Sequence, residues 1–150
     1  MRYTFLIVIL AIFLGACKKD KFTTTPSISF NSFKPDFYSN NSAPGTFPIL
    51  SIHVTDLEGD LGFVSGSDTS FIYIKNLRTN KFDSLRLPNI GSSAKKNFSG
   101  DIEVDMNSGG FLGVPNNSKA DTIYFNVYIK DFAKNKSNEI KTDKPIYYIP

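Results

Sequence analysis

The sequence predicts an all-β protein, built as an antiparallel immunoglobulin-like or fibronectin-like β-sandwich of about seven or eight strands. The first observation is that short runs of alternating apolar and polar residues recur along the chain, whereas helical spacing of apolar residues is scarce. The second is that clusters of Gly, Pro, Asn and Asp separate these runs. Such residues supply the backbone angles and side-chain capping of tight turns. Alternation also suits sheets that keep one face in water.

The N-terminal residues predict a helical signal peptide that precedes the fold. Arg2 supplies a positive start, and residues 5–14, FLIVILAIFL, form an unbroken apolar run. This run is too short to span a bilayer, which needs about 20 residues, but it fits the apolar region of a secretory signal. We therefore expect the chain to be exported.

The apolar run ends in LGAC, residues 14–17, which resembles the lipobox of bacterial lipoproteins: a Leu, two small residues and a Cys. The resemblance implies that residues 1–16 are the cleaved signal peptide. It also implies that Cys17 carries a covalent lipid, a diacylglyceryl group with an N-acyl chain such as palmitate. Two or more acyl chains hold a protein stably on a membrane. Cys17 is the only cysteine, so a disulfide within the chain is excluded. The alternative is a short hydrophobic anchor that ends in an unmodified thiol.

The residues after the lipobox predict a tether and then one domain. Residues 17–26 are the lipidated Cys and a flexible tether, because KKDKFTTTP is polar, Thr-rich and ends in Pro26. The lipobox implies anchoring at a membrane, and the lipoprotein resemblance described below implies that this is the cell outer membrane. The basic KKDK favours its periplasmic face over its outer surface, without deciding between them. Residues 27–150 are a β-sandwich domain of ordinary size.

Within this domain each strand is predicted from its local pattern. LSIHVT alternates Leu50, Ile52 and Val54 against polar residues, and SFIYIKNL is apolar on both faces, as in a central strand. The turn RTN separates SFIYIKNL from the next run and predicts a hairpin. Fourteen Phe without any Trp predict a phenylalanine-rich core. The predicted strands are residues 27–30, 50–55, 70–77, 81–88, 101–106, 121–131, 138–142 and 145–150.

The charge balance argues against a nucleic-acid partner. The chain has 17 basic and 14 acidic residues, and loss of Arg2 with the signal peptide leaves 16 against 14, a net +2. The lysines are scattered, many of them in turns, and follow no single stripe. A nucleic-acid-binding domain instead concentrates its basic residues in one patch. The predicted partners are membrane lipid, through Cys17, and an unidentified envelope protein or glycan.

Three features together resemble the small lipoproteins common in Bacteroidota. They are the lipobox followed by Lys-Lys-Asp, the stretch VTDLEGDLGF at 54–63, and DTIYFNVYIKDFAKNKSN at 121–138. Members of that group often carry an Asp-Gly-Asp-Gly-Asp-(Ile/Leu)-Gly turn and an Asp-x-Ala-Gly-Asn-x-Ser turn. The resemblance implies an immunoglobulin-like sandwich at the outer membrane and no established activity.

This chain departs from the pattern of that group in both turns. Leu57 and Glu58 replace the usual Gly-Asp pair of the first turn, and Lys134 stands where Gly is usual in the second. A residue other than Gly pays a steric cost at positive φ. We therefore expect the second turn to be altered.

The first turn carries three carboxylates, Asp56, Glu58 and Asp60, which are candidate calcium ligands. An EF-hand loop is excluded, because its Gly position is occupied by Leu61 and its Glu position by Ser67, and no helices flank the loop. A different calcium site is possible if alternating residues aim all three at one cation. Backbone carbonyls and Asp68 or Asp131 would complete it. The alternative, which the sequence favours, is a solvated turn whose Asp side chains cap backbone amides.

The sequence predicts no catalytic site. His53 is the only histidine, and its place in an alternating strand predicts an ordinary surface residue. One His without Cys does not make a common zinc site. The chain has neither a Gly-x-Ser-x-Gly elbow nor a Ser-x-x-Lys box. We therefore expect a protein that is not an enzyme.

Two tyrosines are candidates for glycan binding. Tyr124 and Tyr128 lie four residues apart on the polar face of one predicted strand, and Tyr offers a flat ring with a polar tip. The alternative is an ordinary strand-forming Tyr packed against lysine stems. An exposed, coplanar pair of aromatic rings is the feature that would favour glycan binding.

The sequence as a whole predicts a membrane-anchored lipoprotein of the bacterial envelope. Its expected role is that of a non-catalytic interaction or structural module. The alternative role is that of a glycan-binding accessory lipoprotein of an outer-membrane uptake system.

Overall fold

The computed structural model describes residues 22–63, 69–88, 90, 96–113 and 119–150. The signal region, Cys17 and Asp68 lie outside these residues. Over the described residues the protein is all-β, and none of its elements is a helix long and apolar enough to cross a membrane. The strands are β1 (Ser27–Lys34), β2 (Phe37–Ser39), β3 (Ile49–Asp56), β4 (Phe71–Asn76), β5 (Phe82–Arg86), β6 (Phe98–Asp105), β7 (Asp121–Ile123), β8 (Phe125–Lys130), β9 (Ile140–Lys141) and β10 (Ile146–Ile149).

The described strands form three sheets, and all neighbours but one pair are antiparallel. A three-stranded sheet has the order β1-β3-β6, and a four-stranded sheet has the order β5-β4-β8-β9. The third sheet, β2-β10-β7, contains the parallel pair β2–β10. The predicted hairpin is present, because β4 and β5 pair with Ile72 opposite Leu85. The predicted central position of β4, between β5 and β8, is also confirmed.

Two strand predictions need correction. The long run 121–131 is two strands, because β7 pairs with β10 whereas β8 pairs with β4 and β9. Ile123 and Phe125 are both buried on either side of the break, so the alternation continues where the hydrogen-bonding partner changes. The predicted strands also miss β2, which lies in the stretch KPDFYSNNSAPGT between the predicted strands 27–30 and 50–55. Three residues are too few to show a period of two.

The core is mainly aliphatic and lies between the sheet β1-β3-β6 and the sheet β5-β4-β8-β9. The ring of Phe33 in β1 lies 5.8 Å from that of Phe125 in β8, which joins the two sheets. The core holds fewer phenylalanines than the sequence predicts. Among the described residues three phenylalanines are buried and three more are partly buried against the core: Phe33, Phe111 and Phe125, and Phe30, Phe47 and Phe98. Several other aromatic rings lie on the surface of the four-stranded sheet. The inward side chains of the central strands are Leu50, Ile52 and Val54 of β3, Ile72 and Ile74 of β4, and Val127 and Ile129 of β8.

Candidate metal centre

The acidic turn begins where β3 ends, and the alternation of that strand decides where Asp56 points. Val54 faces the core, so Asp56, two residues later, is buried on the same side, with none of its surface exposed. The chain then bends, and Gly59 adopts a positive φ of 68°. The Gly59 N–H donates to Asp56 Oδ2 at 2.6 Å. This bond orients the carboxylate and leaves its Oδ1 free for another partner.

The second half of the site comes from the turn after β8. Phe132 N–H donates to the Asp60 carbonyl at 3.0 Å. Ala133 N–H, 73 residues along the chain from Asp60, donates to Asp60 Oδ2 at 3.3 Å. These bonds join the two turns directly. Each turn therefore fixes the geometry of the other.

Asp131 opens this second turn and is fully buried. Its Oδ1 accepts the Asn135 N–H at 2.7 Å, and its Oδ2 accepts the Asn135 side-chain amide at 2.9 Å. Lys134 adopts φ = 69°, the left-handed conformation that glycine tolerates best. The expectation that Lys134 alters the turn is not met, because the lysine takes up this conformation. The side chain of Lys134 extends outward, where its Nζ donates to the Thr69 carbonyl at 3.1 Å.

Asp56, Asp60 and Asp131 form a compact acidic cluster. Each offers one carboxylate oxygen, and these three oxygens lie within 4.8 Å of one another. Oxygens that share one calcium ion at about 2.4 Å are at most about 4.8 Å apart, so the spacing fits a common cation. Calcium also tolerates irregular arrangements of oxygen ligands. The cluster therefore has the composition and dimensions of a hard-cation site.

The cluster has no neutralising partner within the described part of the chain. Oδ1 of Asp56 and Oδ1 of Asp60 are buried and accept no hydrogen bond from described residues. None of the ion pairs among those residues includes Asp56, Asp60 or Asp131. Buried carboxylates without a counter-charge are costly. The solvated turn favoured by the sequence does not describe this site, although Asp56 does cap a backbone amide as that interpretation expected.

Burial raises the pKa of two of these carboxyl groups. For Asp56, burial together with the charges of Asp60 and Asp131 outweighs the Gly59 hydrogen bond and raises the pKa to about 6. For Asp60, burial and then the charge of Asp131 raise the pKa above its usual range, against the hydrogen bond from Ala133 N–H. A site that disfavours negative charge in this way gains from a bound proton or a bound cation.

The structure brings together some of the predicted ligands and not others. Asp56 and Asp60 meet, and Asp131 joins them as the sequence allowed, but the Glu58 side chain is exposed and lies outside the cluster. Alternation would aim residues 56, 58 and 60 the same way only in an extended chain. The left-handed Gly59 breaks the extension. Asp68, the other residue considered, lies outside the described part of the chain.

The candidate glycan-binding tyrosines lie on the outer face of the four-stranded sheet, both half-buried. Tyr124 contacts Lys141, whose Nζ is 4.9 Å from the ring centroid. Tyr128 stacks on Tyr73, with centroids 4.7 Å apart and an interplanar angle of 9°. Their rings are parallel but lie face to face, whereas a sugar platform needs rings side by side. The pairing of Tyr128 with Tyr73 could not be predicted from the sequence, because the pattern of one strand does not show its cross-strand register.

His53 occupies the opposite side of β3 from the acidic cluster. Its Nδ1 lies 2.6 Å from Asp101 Oδ1, and its Nε2 lies 3.2 Å from Ser99 Oγ. The side chain is 38% exposed. This is the ordinary surface position that the alternation predicts.

Comparisons with known proteins return no match to any family model, curated protein or solved structure.

Proposed function

We propose that this protein is a lipid-anchored, non-catalytic module of the bacterial envelope, and that one calcium ion bound by Asp56, Asp60 and Asp131 stabilises its domain. The observation that carries the calcium assignment is the pair of buried Oδ1 atoms, on Asp56 and Asp60, that accept no hydrogen bond from described residues. A cation at this point offsets the repulsion of three close carboxylates. The ion would hold together two turns that are distant in sequence.

The role of such an ion is structural. Each carboxylate is already oriented by a hydrogen bond within its turn or the neighbouring one. This preorganisation lowers the entropy that calcium binding has to overcome. The domain would thereby gain stability in the calcium-containing space outside the cytoplasm. We propose an immunoglobulin-like sandwich as its finer classification, supported by two antiparallel sheets that share one core.

The lipid anchor at Cys17 is proposed from the sequence. Its support is the LGAC sequence after an apolar run and the polar tether that follows. Cys17 would carry the lipid and hold the domain at the outer membrane, where it would engage an envelope protein or a glycan. Incorporation of labelled palmitate in the native host, abolished by Cys17→Ala, tests the anchor. Unchanged labelling of this variant would contradict it.

Calcium binding is tested by titrating the mature protein with CaCl₂ after treatment with EDTA. We expect heat on titration and a higher melting temperature, since a ligand at 100 times its Kd stabilises by about 2.7 kcal/mol. Asp60→Asn should abolish both effects, because it keeps an oxygen for Ala133 N–H but removes the charge.

The matched control is Glu58→Gln, which removes a charge from the same turn without touching the cluster. It should respond to calcium as the wild type does. An unchanged melting temperature of the wild type in millimolar CaCl₂ would contradict the proposal, as would equal responses of Asp60→Asn and the wild type.

A further inference from the structure

The outer face of the four-stranded sheet is covered by aromatic rings and basic side chains, and we call it the basic aromatic face. Strand register places its residues in rows. Tyr73 of β4 lies between Ser84 of β5 and Tyr128 of β8. The members of the face are Phe71, Tyr73, Lys75, Phe82, Ser84, Arg86, Asn126, Tyr128 and Lys130 of β4, β5 and β8, with Tyr124, which precedes β8, and Lys134, Lys136 and Lys141 from the segments that follow β8.

Four of its five lysines, Lys130, Lys134, Lys136 and Lys141, lie above aromatic rings. Lys136 Nζ lies 4.0 Å from the centroid of the Tyr128 ring, and Lys130 Nζ lies 5.5 Å from that of Tyr73. Cation–π contacts of this kind keep the ammonium group in place while its outer side stays hydrated. The charges of the face are thus preorganised, which reduces the entropy lost when a partner binds.

The basic charge on this face is nearly uncompensated. Six of its members are cationic, Lys75, Arg86, Lys130, Lys134, Lys136 and Lys141. Among the described acidic residues, Glu139 is the one that bonds side chains of the face, accepting from Lys136 at 2.9 Å and Asn126 at 3.1 Å. Strand pairing therefore gathers on one face six basic residues that are scattered along the sequence. The near-neutral net charge of the chain does not show this local concentration of basic residues.

We propose that the basic aromatic face binds an anionic polysaccharide, that is, a glycan bearing carboxylate or sulfate groups. Charge complementarity selects a polyanion. Strand register places Tyr73 and Tyr128 between the row of Arg86 and Lys130 and the row of Lys75. It places Asn126 between Lys75 and Lys141. The side chains of these three polar residues can hydrogen-bond sugar hydroxyls. Neighbouring strands place such groups about 4.8 Å apart, so an extended chain can contact several of them at once.

The arrangement of the rings favours a glycan over a nucleic acid or a lipid surface. Tyr73, Tyr128 and Phe82 stack on one another, with interplanar angles of 9° to 25°. Their faces are occupied by neighbouring rings and by ammonium groups, whereas nucleic-acid bases need open ring faces for stacking. Insertion into lipid needs a larger exposed apolar area, and on this face Phe82 alone, 51% exposed, is a markedly exposed large hydrophobic residue among those described. Recognition therefore depends on charge and hydrogen bonds.

Glycan binding by this face is a function separate from calcium binding and does not require the ion. The test is titration of the mature protein with heparin and with polygalacturonate at 0.15 M salt, a physiological ionic strength. Neutral dextran, phosphatidylglycerol vesicles and duplex DNA are the comparison probes. We expect binding to both anionic glycans and none to dextran. The variant Lys130→Gln/Lys136→Gln should weaken glycan binding about tenfold, since each cation contributes a modest share.

The matched control is Lys34→Gln/Lys144→Gln, which removes the same charge from exposed positions outside the face. It should bind the glycans within about twofold of the wild type, as expected if net charge alone matters little. Equal losses in the two double variants, or no loss in either, would overturn the proposal. So would tighter binding of the vesicles or the DNA than of both glycans, with the same dependence on Lys130 and Lys136.

A thermal melt of each variant separates a folding defect from a binding defect. Both pairs replace surface lysines, so we expect melting temperatures close to that of the wild type. Repeating the titration in EDTA separates this inference from the calcium proposal. Loss of glycan binding by the folded wild type under those conditions would contradict the independence of the face from the ion.

Discussion

The two faces of the sheet β1-β3-β6 place carboxylates in opposite environments, with Asp56 at the end of β3 on the inner face and Asp101 of β6 on the outer face. On the inner side, Asp56 is fully buried beside Asp60 and Asp131, and burial raises its pKa to about 6. On the outer side, Asp101 is exposed beside His53, and their hydrogen bond is the main cause of its lowered pKa. The same residue type is destabilised as an anion on one side and stabilised on the other. Burial and the available hydrogen-bond partner, rather than the carboxylate itself, decide whether a carboxylate site favours a bound cation.

Asp56→Asn is expected to have the largest effect on stability. In excess calcium the variant should lose about 3 kcal/mol of unfolding free energy, because it cannot hold the ion. In EDTA it should be as stable as the wild type or more so, because one of three repelling charges is gone while the acceptor for Gly59 N–H remains. Urea denaturation in both conditions measures the difference. An equal loss in calcium and in EDTA would assign Asp56 a purely structural role.

The pH dependence of the stability of the metal-free protein tests the raised pKa of Asp56. The pKa of Asp56, about 6 in the folded state, lies above its ordinary value of 3.8. The folded chain therefore binds more protons than the unfolded chain between these values. Stability in EDTA should accordingly fall as pH rises from about 4 to about 6, by at most about 3 kcal/mol. Other carboxyl groups, Asp101, Asp121 and Glu139, have lowered pKa values and contribute the opposite trend. Urea melts of the wild type and of Asp56→Asn across this range therefore isolate the contribution of Asp56, and a wild-type stability that rises with pH relative to the variant would contradict the prediction.

A smaller effect on stability is expected from the left-handed backbone conformation of the second turn. Lys134 pays a steric cost at φ = 69° that glycine avoids. Lys134→Ala removes the contacts of the side chain and keeps that cost, so Lys134→Gly should be more stable than Lys134→Ala by about 1 kcal/mol. Thermal melts of the pair isolate the backbone contribution. Equal melting temperatures would show that the left-handed conformation is not costly here.

The smallest effect is expected on the outer side of β3. Asp101→Asn removes an exposed partner of His53, and exposed pairs contribute little to stability. Its melting temperature should match that of the wild type, and calcium should raise both equally. A calcium response that differs from the wild type would place Asp101, and not only the inner cluster, in the cation site.

Sequence patterns were sufficient for the features that depend on neighbouring residues. Alternation of Leu50, Ile52 and Val54 predicted β3 and its inward face, and extending that period by one step explains why Asp56 is buried. The candidate site was half visible in the sequence. The spacing correctly predicts that Asp56 and Asp60 meet, but it wrongly adds Glu58, because the prediction requires an extended chain. The left-handed Gly59 invalidates that assumption.

The sequence by itself determined the all-β class, the position of most strands and the acidic character of the first turn. These are local properties, because side-chain alternation and turn chemistry depend on residues a few positions apart. Only the tertiary structure decided that Asp131 joins Asp56 and Asp60, and that the lysines after β8 gather on the rings of one sheet. Such contacts follow from the pairing of distant strands around a shared core, and many pairings satisfy the same local pattern.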